Sequence, residues 1–235
     1  MAALQRERLD GGIEVLRLDR PDARNALDSA ALAELEADPA LRVLVLSTTS
    51  ERALCAGADV SEVLDREAGI ARMEAFTRVY AAVDAFPAPT VCVCVGNVVG
   101  AGAELAAGCD LRVGGDNLKL AWVGARLGVP VGPARLTALV GLAAAKDLIY
   151  TGRTLGMAQA RALGLLQRTA PAARAEPTAI DLARELAANP PAGMRALKAL
   201  FRELSHTAEH VARENLGLVE WQRTGAGLPQ GGLRR

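Results

Sequence analysis

The sequence is poor in histidine and in aromatic residues. Its 235 residues include two histidines, His206 and His210, and 3% Phe, Trp and Tyr. With so few imidazoles, a histidine-based triad is disfavoured, and carboxylates and backbone amides remain as candidate catalytic groups. Thr207 follows His206 where a zinc-protease motif needs glutamate. We therefore expect the two histidines to lie on a solvated helix face, with no metal site.

The chain also lacks an excess of charge of either sign. Lys and Arg number 27, as do Asp and Glu, and no basic run is interleaved with aromatic residues. We therefore expect neither nucleic acid nor an anionic membrane as a partner. The longest apolar stretches are shorter than a membrane span, and the N-terminal segment mixes charges from its start, unlike a signal peptide. These features favour a cytoplasmic protein.

Cysteines are few, and none are arranged as a Cys-x-x-Cys pair. The four are Cys55, Cys92, Cys94 and Cys109, and all lie in apolar or alanine-rich surroundings. Reduced cysteine in such surroundings behaves as a small hydrophobic residue. We expect all four in the core.

Residues 91–110 hold the most informative pattern in the chain. Valine and cysteine alternate over 91–95, which predicts a strand buried on both faces. Glycines at 96, 100 and 102 then predict a turn with little side-chain bulk before a helix over 102–109, so that N–H groups near Ala101 can approach a ligand. Glu104 lies in the first helical turn among alanines, where a buried acid needs a partner or a function. The helix macrodipole by itself also favours an acid at this place.

The same order of elements occurs earlier in the chain. Strands are predicted over 13–19 and 42–47, a helix over 28–37, and a small-residue turn over 53–59. Strand–helix–strand order with aliphatic strands indicates parallel pairing in an α/β fold. Two such turns can bring two N–H groups to one carbonyl oxygen. The other predicted elements are a helical segment over 61–86 interrupted near 68–69, short strands at 111–113 and 118–122, a loop at 124–133, and helices at 135–150 (weakened at Gly141), 157–163, 177–188 and 194–221.

Several motifs, taken in order, resemble the crotonase superfamily, which is the enoyl-CoA hydratase/isomerase family. They are Arg20-Pro-Asp-Ala-Arg-Asn-Ala-Leu27, Cys55-Ala-Gly-Ala-Asp59, Gly100-Ala-Gly-Ala-Glu104, Leu127-Gly128 and Ala160-Arg-Ala-Leu-Gly-Leu165. The resemblance implies an α/β fold, the ClpP-like spiral of ββα repeats, with a core over 1–175 and a helical trimerisation region over 176–235. It also implies a homo-oligomer, either a trimer or a dimer of trimers, and a place in fatty acid metabolism. The ligand would be an acyl-CoA thioester, whose coenzyme A is part of the substrate, and no separate cofactor is expected.

The resemblance also implies roles for the two turns. The thioester oxygen would be held by the backbone N–H groups of Ala58 and Ala101, an oxyanion hole. The substrate-binding positions that follow from the resemblance are Arg24, Ala26, Cys55, Ala56, Gly57, Asp59, Gly100 and Gly124. Arg24 suits a CoA phosphate and a solvated loop charge equally well.

Hydratases of this family hold one water between two glutamates. Glu104 matches the first and is the predicted catalytic residue. The second should fall twenty positions later, where Gly124 cannot transfer a proton. Glu62 and Asp65 are the nearest candidates in sequence for a substitute acid, although both suit an ordinary helix surface.

The leading hypothesis is therefore a lyase that adds water to a 2-enoyl-CoA. The alternatives are an enoyl-CoA isomerase, a decarboxylase that needs mainly the oxyanion hole, and a non-catalytic acyl-CoA-binding homologue. The shortened first helix over 28–37 and the lack of the family's Phe-x-Glu-Lys-Arg ending favour the last of these.

Overall fold

The computed structural model describes residues 4–23, 25, 41–59, 61–225, 227 and 228, which form an α/β fold. The strands are β1 (Leu4–Leu9), β2 (Ile13–Leu18), β3 (Val43–Thr48), β4 (Ala53–Cys55), β5 (Thr90–Cys94), β6 (Asn97–Val99), β7 (Leu111–Gly115), β8 (Lys119–Ala121) and β9 (Arg168–Ala170). The helices are α1 (Arg66–Ala85), α2 (Ala101–Gly108), α3 (Pro133–Thr151), α4 (Met157–Ala162), α5 (Ala172–Ala187), α6 (Pro191–Leu204) and α7 (Thr207–Thr224), with 3₁₀ turns at Pro21–Ala23 and Gly124–Leu127.

The strands form two sheets that the chain visits alternately. The larger sheet has the order β1-β2-β3-β5-β7-β9, and the smaller one has the order β4-β6-β8. Apart from the antiparallel β1–β2 hairpin, all neighbouring strands are parallel. Each of β3, β5 and β7 is followed by one short strand in the smaller sheet and then by α1, α2 or α3. This repetition confirms the predicted ββα spiral.

Alternation of side chains along the central strands divides the core into two parts. Valines of β2, β3 and β5 point to one face of the larger sheet, where they pack against Ala175, Ala179 and Leu182 of α5. Leucines of β3 and cysteines of β5 point to the other face and pack against α1 and α2. Because both faces are covered, β3 and β5 are almost continuously apolar, as is usual for parallel sheets.

The last two helices, α6 and α7, pack against the helices and loops of the rest of the fold. Helix α7 packs against α1 and α3. Helix α6 is tied to the core by Lys198, whose ammonium lies 2.7 Å from Asp110 and donates to the Ala88 carbonyl. The sequence predicts that the core ends at residue 175 and the C-terminal helical region begins at 176. Helix α5 continues across these two residues, and the division remains a prediction.

The main predicted elements are confirmed, with differences at their ends, but the predicted small-residue turns over 53–59 and 96–102 each contain a short strand, β4 and β6, because these segments pair with each other in the smaller sheet. The central strands shift by one residue at most, all four cysteines are buried and free, and Gly141 breaks the helix of α3 with φ 77° and ψ 163°. Helix α1 begins at Arg66 rather than residue 61, because Asp65 caps it by accepting from Ala68 N–H. The helix continues without the interruption predicted at 68–69. Helix α5 begins at Ala172 rather than 177. The helix predicted over 28–37 lies outside the described residues.

The predicted helix over 194–221 is two helices. The chain leaves α6 at Ser205 and turns at His206, which has a left-handed φ of 52°, before α7 begins. The side chains of His206 and His210 are exposed, as expected.

Helix α2 lies on the end of β4 without intervening side chains. A Cβ at Gly102 would lie 2.2 Å from the Cys55 carbonyl oxygen, so no larger residue fits without moving backbone. Glycine at this position therefore lets the helix approach the strand closely.

We expect Gly102→Ala to lower the free energy of unfolding by about 1–3 kcal/mol, because overpacking moves α2 away from β4. Gly108→Ala is the matched control, since a Cβ there would lie 3.4 Å from Val83 Cγ1, an ordinary contact. The control should be neutral or stabilising, because alanine is the better helix former. Urea unfolding measures both values. Equal stability of Gly102→Ala and the unsubstituted protein would contradict the close approach.

Candidate active site

An apolar cavity of about 340 Å³ lies where β4 and β6 end and α2 begins. One side is lined by Gly57, Ala58, Gly100 and Ala101, from the two predicted turns. Other walls come from α1 and from the C-terminal region, through Met73, Phe76, Tyr80, Leu218 and Leu228. In the part of the chain that the structure describes, no carboxylate lines this cavity, and its polar side chains are Tyr80 and Arg126.

The two turns are in direct contact with each other. A Cβ at Gly57 would lie 3.3 Å from the Val99 carbonyl oxygen, and a Cβ at Gly100 would lie 3.8 Å from Gly57 Cα. Both glycines have positive φ, 111° and 55°, which other residues rarely adopt. Ala101 is the first residue of α2, so its N–H has no acceptor within the helix. The structure thus brings Ala58 and Ala101 to one cavity.

Charged side chains behind the first turn hold it in place. Arg72, buried in α1, donates from Nη1 to the Asp59 carbonyl at 3.1 Å and to Glu62 at 3.0 Å. The Asp59 carboxylate accepts from the N–H and hydroxyl of Ser61 and lies 3.5 Å from Arg20. The Ser61 hydroxyl, with a smaller contribution from Arg20, holds the pKa of Asp59 below its usual value.

Glu104 does not line the cavity; its carboxyl lies behind the cavity wall. It is 1% exposed, and its Oε2 accepts from Arg135 Nη1 at 3.3 Å. The same Arg135 nitrogen donates to Glu214 Oε1 at 3.2 Å, and the guanidinium stacks over the Tyr80 ring at 5.1 Å. Tyr80 and Val131 belong to the wall of the cavity, and Glu104 Oε1 lies beside Gly132. Glu104 is therefore one layer away from the space that a ligand would fill.

Burial makes Glu104 a weak acid. Loss of solvation, followed by repulsion from Glu214, raises the pKa of Glu104 to about 8, although Arg135 and the nearby Trp122 indole act in the opposite direction. Such a carboxyl exchanges its proton near neutral pH, which suits a general acid or base.

Backbone fills the space around Gly124, the position at which the resemblance implies a second glutamate. A Cβ at Gly124 would lie 2.7 Å from the Val129 carbonyl oxygen and 3.1 Å from Val131 Cγ1. The segment after the 3₁₀ turn folds back over residue 124, where the Val129 N–H donates to the Gly124 carbonyl at 2.8 Å. A larger side chain at 124 cannot enter the cavity without displacing this segment.

The remaining predicted residues are placed in different ways. Ala56, Gly57, Gly100 and Gly124 line the cavity. Cys55 is buried beneath α2, and Asp59 points toward Ser61 and Arg20, so the structure places neither side chain at the cavity. Glu62 pairs with Arg72 and Asp65 caps α1, so both candidate substitute acids are engaged elsewhere. Arg24 and Ala26 lie outside the described residues.

Sequence reasoning missed Arg135 and Glu214. Arg135 has a detectable signal, because it is a charged residue on the apolar face of the predicted helix 135–150. Glu214 has none, since it is one of many charged residues on α7, and its buried partner lies 79 positions away in sequence.

Two features are absent from the described residues. No group of three or more His, Cys, Asp or Glu side chains is placed to hold a metal ion. None of the helices there has the length and apolar character that crossing a bilayer requires.

Comparisons with known proteins agree on one family. The profile of the family described as enoyl-CoA hydratase/isomerase matches residues 8–219. The bovine protein named enoyl-CoA hydratase domain-containing protein 2, mitochondrial, is 38% identical over 168 residues, which are 66% of this chain and 56% of the relative, little more than half of its length. The enoyl-CoA isomerase/hydratase fer4 of Mycosarcoma maydis is 31% identical over 80% of this chain and 76% of its own length.

Comparison with solved structures indicates the same family. The enoyl-CoA hydratase from Bacillus anthracis superimposes with a TM-score of 0.80 at 25% identity, over 98% of this chain and all of the other. An enoyl-CoA hydratase from Mycobacterium smegmatis gives 0.78 at 28% identity, over 92% and 90% of the two chains. With the ββα spiral and the paired turns, these matches show that the chain belongs to the enoyl-CoA hydratase/isomerase family and has the crotonase fold.

Proposed function

We propose that the chain binds an acyl-CoA thioester whose carbonyl oxygen is held between the N–H groups of Ala58 and Ala101. The observation that carries this proposal is the meeting of the two turns at one apolar cavity, with both alanines on its border. Each such donor typically contributes about 3 kcal/mol to stabilising the negative charge that develops on a thioester oxygen. The apolar walls from α1 and α7 suit the acyl chain.

The acid–base step falls to Glu104. It is one helical turn after Ala101, and its raised pKa suits a group that takes up and returns a single proton. To reach the substrate, the carboxyl turns from Arg135 toward the cavity past the wall formed by Tyr80 and Val131.

One carboxyl is best matched to moving a double bond. In this reaction Glu104, as carboxylate, removes a proton from C2 of a 3-enoyl-CoA, and the electron pair moves into an enolate held by the two N–H groups. The same carboxyl then returns the proton to C4, which yields the conjugated 2-enoyl-CoA and restores the carboxylate. Hydration is the second candidate: it is favoured by the names of the relatives, but it uses a second acid for which position 124 has no space.

Three further points belong to this proposal. Coenzyme A enters as part of the substrate and no separate cofactor is required. The assembly is a homo-oligomer, a trimer or a dimer of trimers, and the location is cytoplasmic. The exposed leucines and phenylalanine of α6, at 197, 200, 201 and 204, support an assembly, because an apolar patch of this kind is unusual on a monomer surface.

We expect Glu104→Gln to lower kcat by about 10²–10⁴-fold, the usual contribution of a general acid or base, and to leave thioester binding unchanged. Purified protein is mixed with 3-enoyl-CoA and 2-enoyl-CoA of short, medium and long chain, and the absorbance of the conjugated thioester is followed. It rises on isomerisation and falls on hydration. Glu185→Gln, an exposed glutamate of α5, is the matched control.

Two results would contradict this assignment. Turnover that survives in Glu104→Gln would remove Glu104 from the reaction. Saturable binding of a non-reactive acyl-CoA with no turnover of any of the thioesters would leave the oxyanion site as a binding site and reject the enzymatic step.

Placing a glutamate at position 124 should not produce hydration activity. We expect Gly124→Glu to gain no hydration activity and to lose about 1–3 kcal/mol of stability, because its Cβ overlaps the Val129 carbonyl. Gly156→Glu is the control, since a Cβ there meets nothing within 4 Å. Enoyl-thioester absorbance and urea unfolding test both variants. A clear gain of hydration in Gly124→Glu would show that the segment over residue 124 yields to the side chain.

A further inference from the structure

Arg135 is shared by two carboxyls from different helices. Its guanidinium is 1% exposed, and one nitrogen, Nη1, donates both to Glu104 Oε2 and to Glu214 Oε1. The second oxygen of Glu214 accepts from the Ala134 N–H at 2.8 Å. Glu214 is therefore fixed at both oxygens, whereas Glu104 Oε1 accepts no hydrogen bond within the described residues.

The charges of this cluster do not balance if both carboxyls are ionised. Arg135 supplies one positive charge against two negative ones in a site removed from water, so one proton is favoured on the pair. Tyr80 from α1 and Cys55 from β4 also lie in this cluster and supply no positive charge, whereas His210 and Arg213 of α7 line a separate cavity together with Glu214. Glu104 is the more deeply buried of the two carboxyls and has one oxygen that accepts no hydrogen bond, so the proton is assigned to Glu104.

We propose that Glu214 is a positioning residue for Glu104: by holding the shared Arg135 guanidinium, α7 fixes the resting position from which the Glu104 carboxyl turns toward the cavity, and keeps its second oxygen free beside Gly132. This inference rests on the proposed function, in which Glu104 is the proton-transfer group. Helix α7 thus supplies the second carboxyl of the site, although it acts through Arg135 and does not touch the substrate.

A purely electrostatic role for Glu214 would give a different result. If Glu214 acted on Glu104 by its charge alone, Glu214→Gln would lower the pKa of Glu104, whereas Glu214→Asp, which keeps the charge, would leave it in place. If Glu214 positions Glu104 through Arg135, drawing its carboxylate back from Arg135 also releases the guanidinium to Glu104, so that both variants lower the midpoint. The comparison of Glu214→Gln with Glu214→Asp therefore separates the two roles.

Trp122 can report this titration. A Cβ at Gly132 would lie 3.1 Å from Trp122 Cδ1 and 3.1 Å from Glu104 Oε1, so the indole and the carboxyl are neighbours. The chain contains two tryptophans, and Trp221→Phe leaves Trp122 as the single one. Its fluorescence is recorded against pH in the folded full-length protein, without any substrate.

We expect a single transition near neutral pH in Trp221→Phe, lost when Glu104→Gln is added. Adding Glu214→Gln should move the midpoint to lower pH by about one unit or more, the usual effect of removing a like charge. Glu209→Gln, an exposed glutamate of the same helix, is the matched control and should leave the midpoint in place. An unchanged midpoint in Glu214→Gln, or a transition that persists without Glu104, would overturn the proposal.

Glu214→Asp decides the question if Glu214→Gln does not fold. This variant keeps the charge but draws the carboxylate back from Arg135. The midpoint of the Glu104 titration should therefore move to lower pH by a smaller amount than in Glu214→Gln. An unchanged midpoint would reject the proposal. Since this readout needs no turnover, it stands apart from the activity assay. A protein that turns over no thioester can still show the shift, and an active enzyme can fail to show it.

Discussion

The contact between Gly102 and the Cys55 carbonyl is the constraint on which the site depends. Because residue 102 has no side chain, α2 lies directly on the end of β4. This contact places Ala101, the first residue of the helix, beside the turn that contains Ala58, so both border one cavity. The proposed site uses backbone N–H groups and does not depend on particular side chains, so alanine is suitable at both positions.

The same short helix carries an acid into the interior. Glu104 is surrounded by small apolar residues of α2, and a carboxyl buried there is stable only when protonated or paired. Arg135 provides the pairing and is itself held by Glu214 and by the Tyr80 ring. Three helices, α2, α3 and α7, are therefore joined by one buried cation. Removing Arg135 would leave two buried carboxyls without a cation, so its charge holds the three helices together.

The elements that form the cavity could be predicted from the sequence, and the cluster behind it could not. Strands and glycine turns have local signals, namely alternation, β-branched residues and small-residue clusters. The pairs that Arg135 forms with Glu104 and Glu214 span 31 and 79 residues, and no local pattern encodes them. The break between α6 and α7 was missed for a related reason. His206 adopts a left-handed conformation without the glycine or proline that usually marks one, so residues 194–221 have the pattern of one continuous helix.

The loop after Gly124 links position 124 to the surroundings of Glu104. The Val129 N–H donates to the Gly124 carbonyl, and the Val131 N–H donates to the Val129 carbonyl, so the chain folds tightly over residue 124. The same loop places Gly132 against the Glu104 carboxyl. A side chain at 124 would overlap the Val129 carbonyl and displace this loop together with Gly132. The packing that leaves no space for a second acid at 124, the position that the resemblance implies for it, is therefore the packing that also borders the buried Glu104 carboxyl.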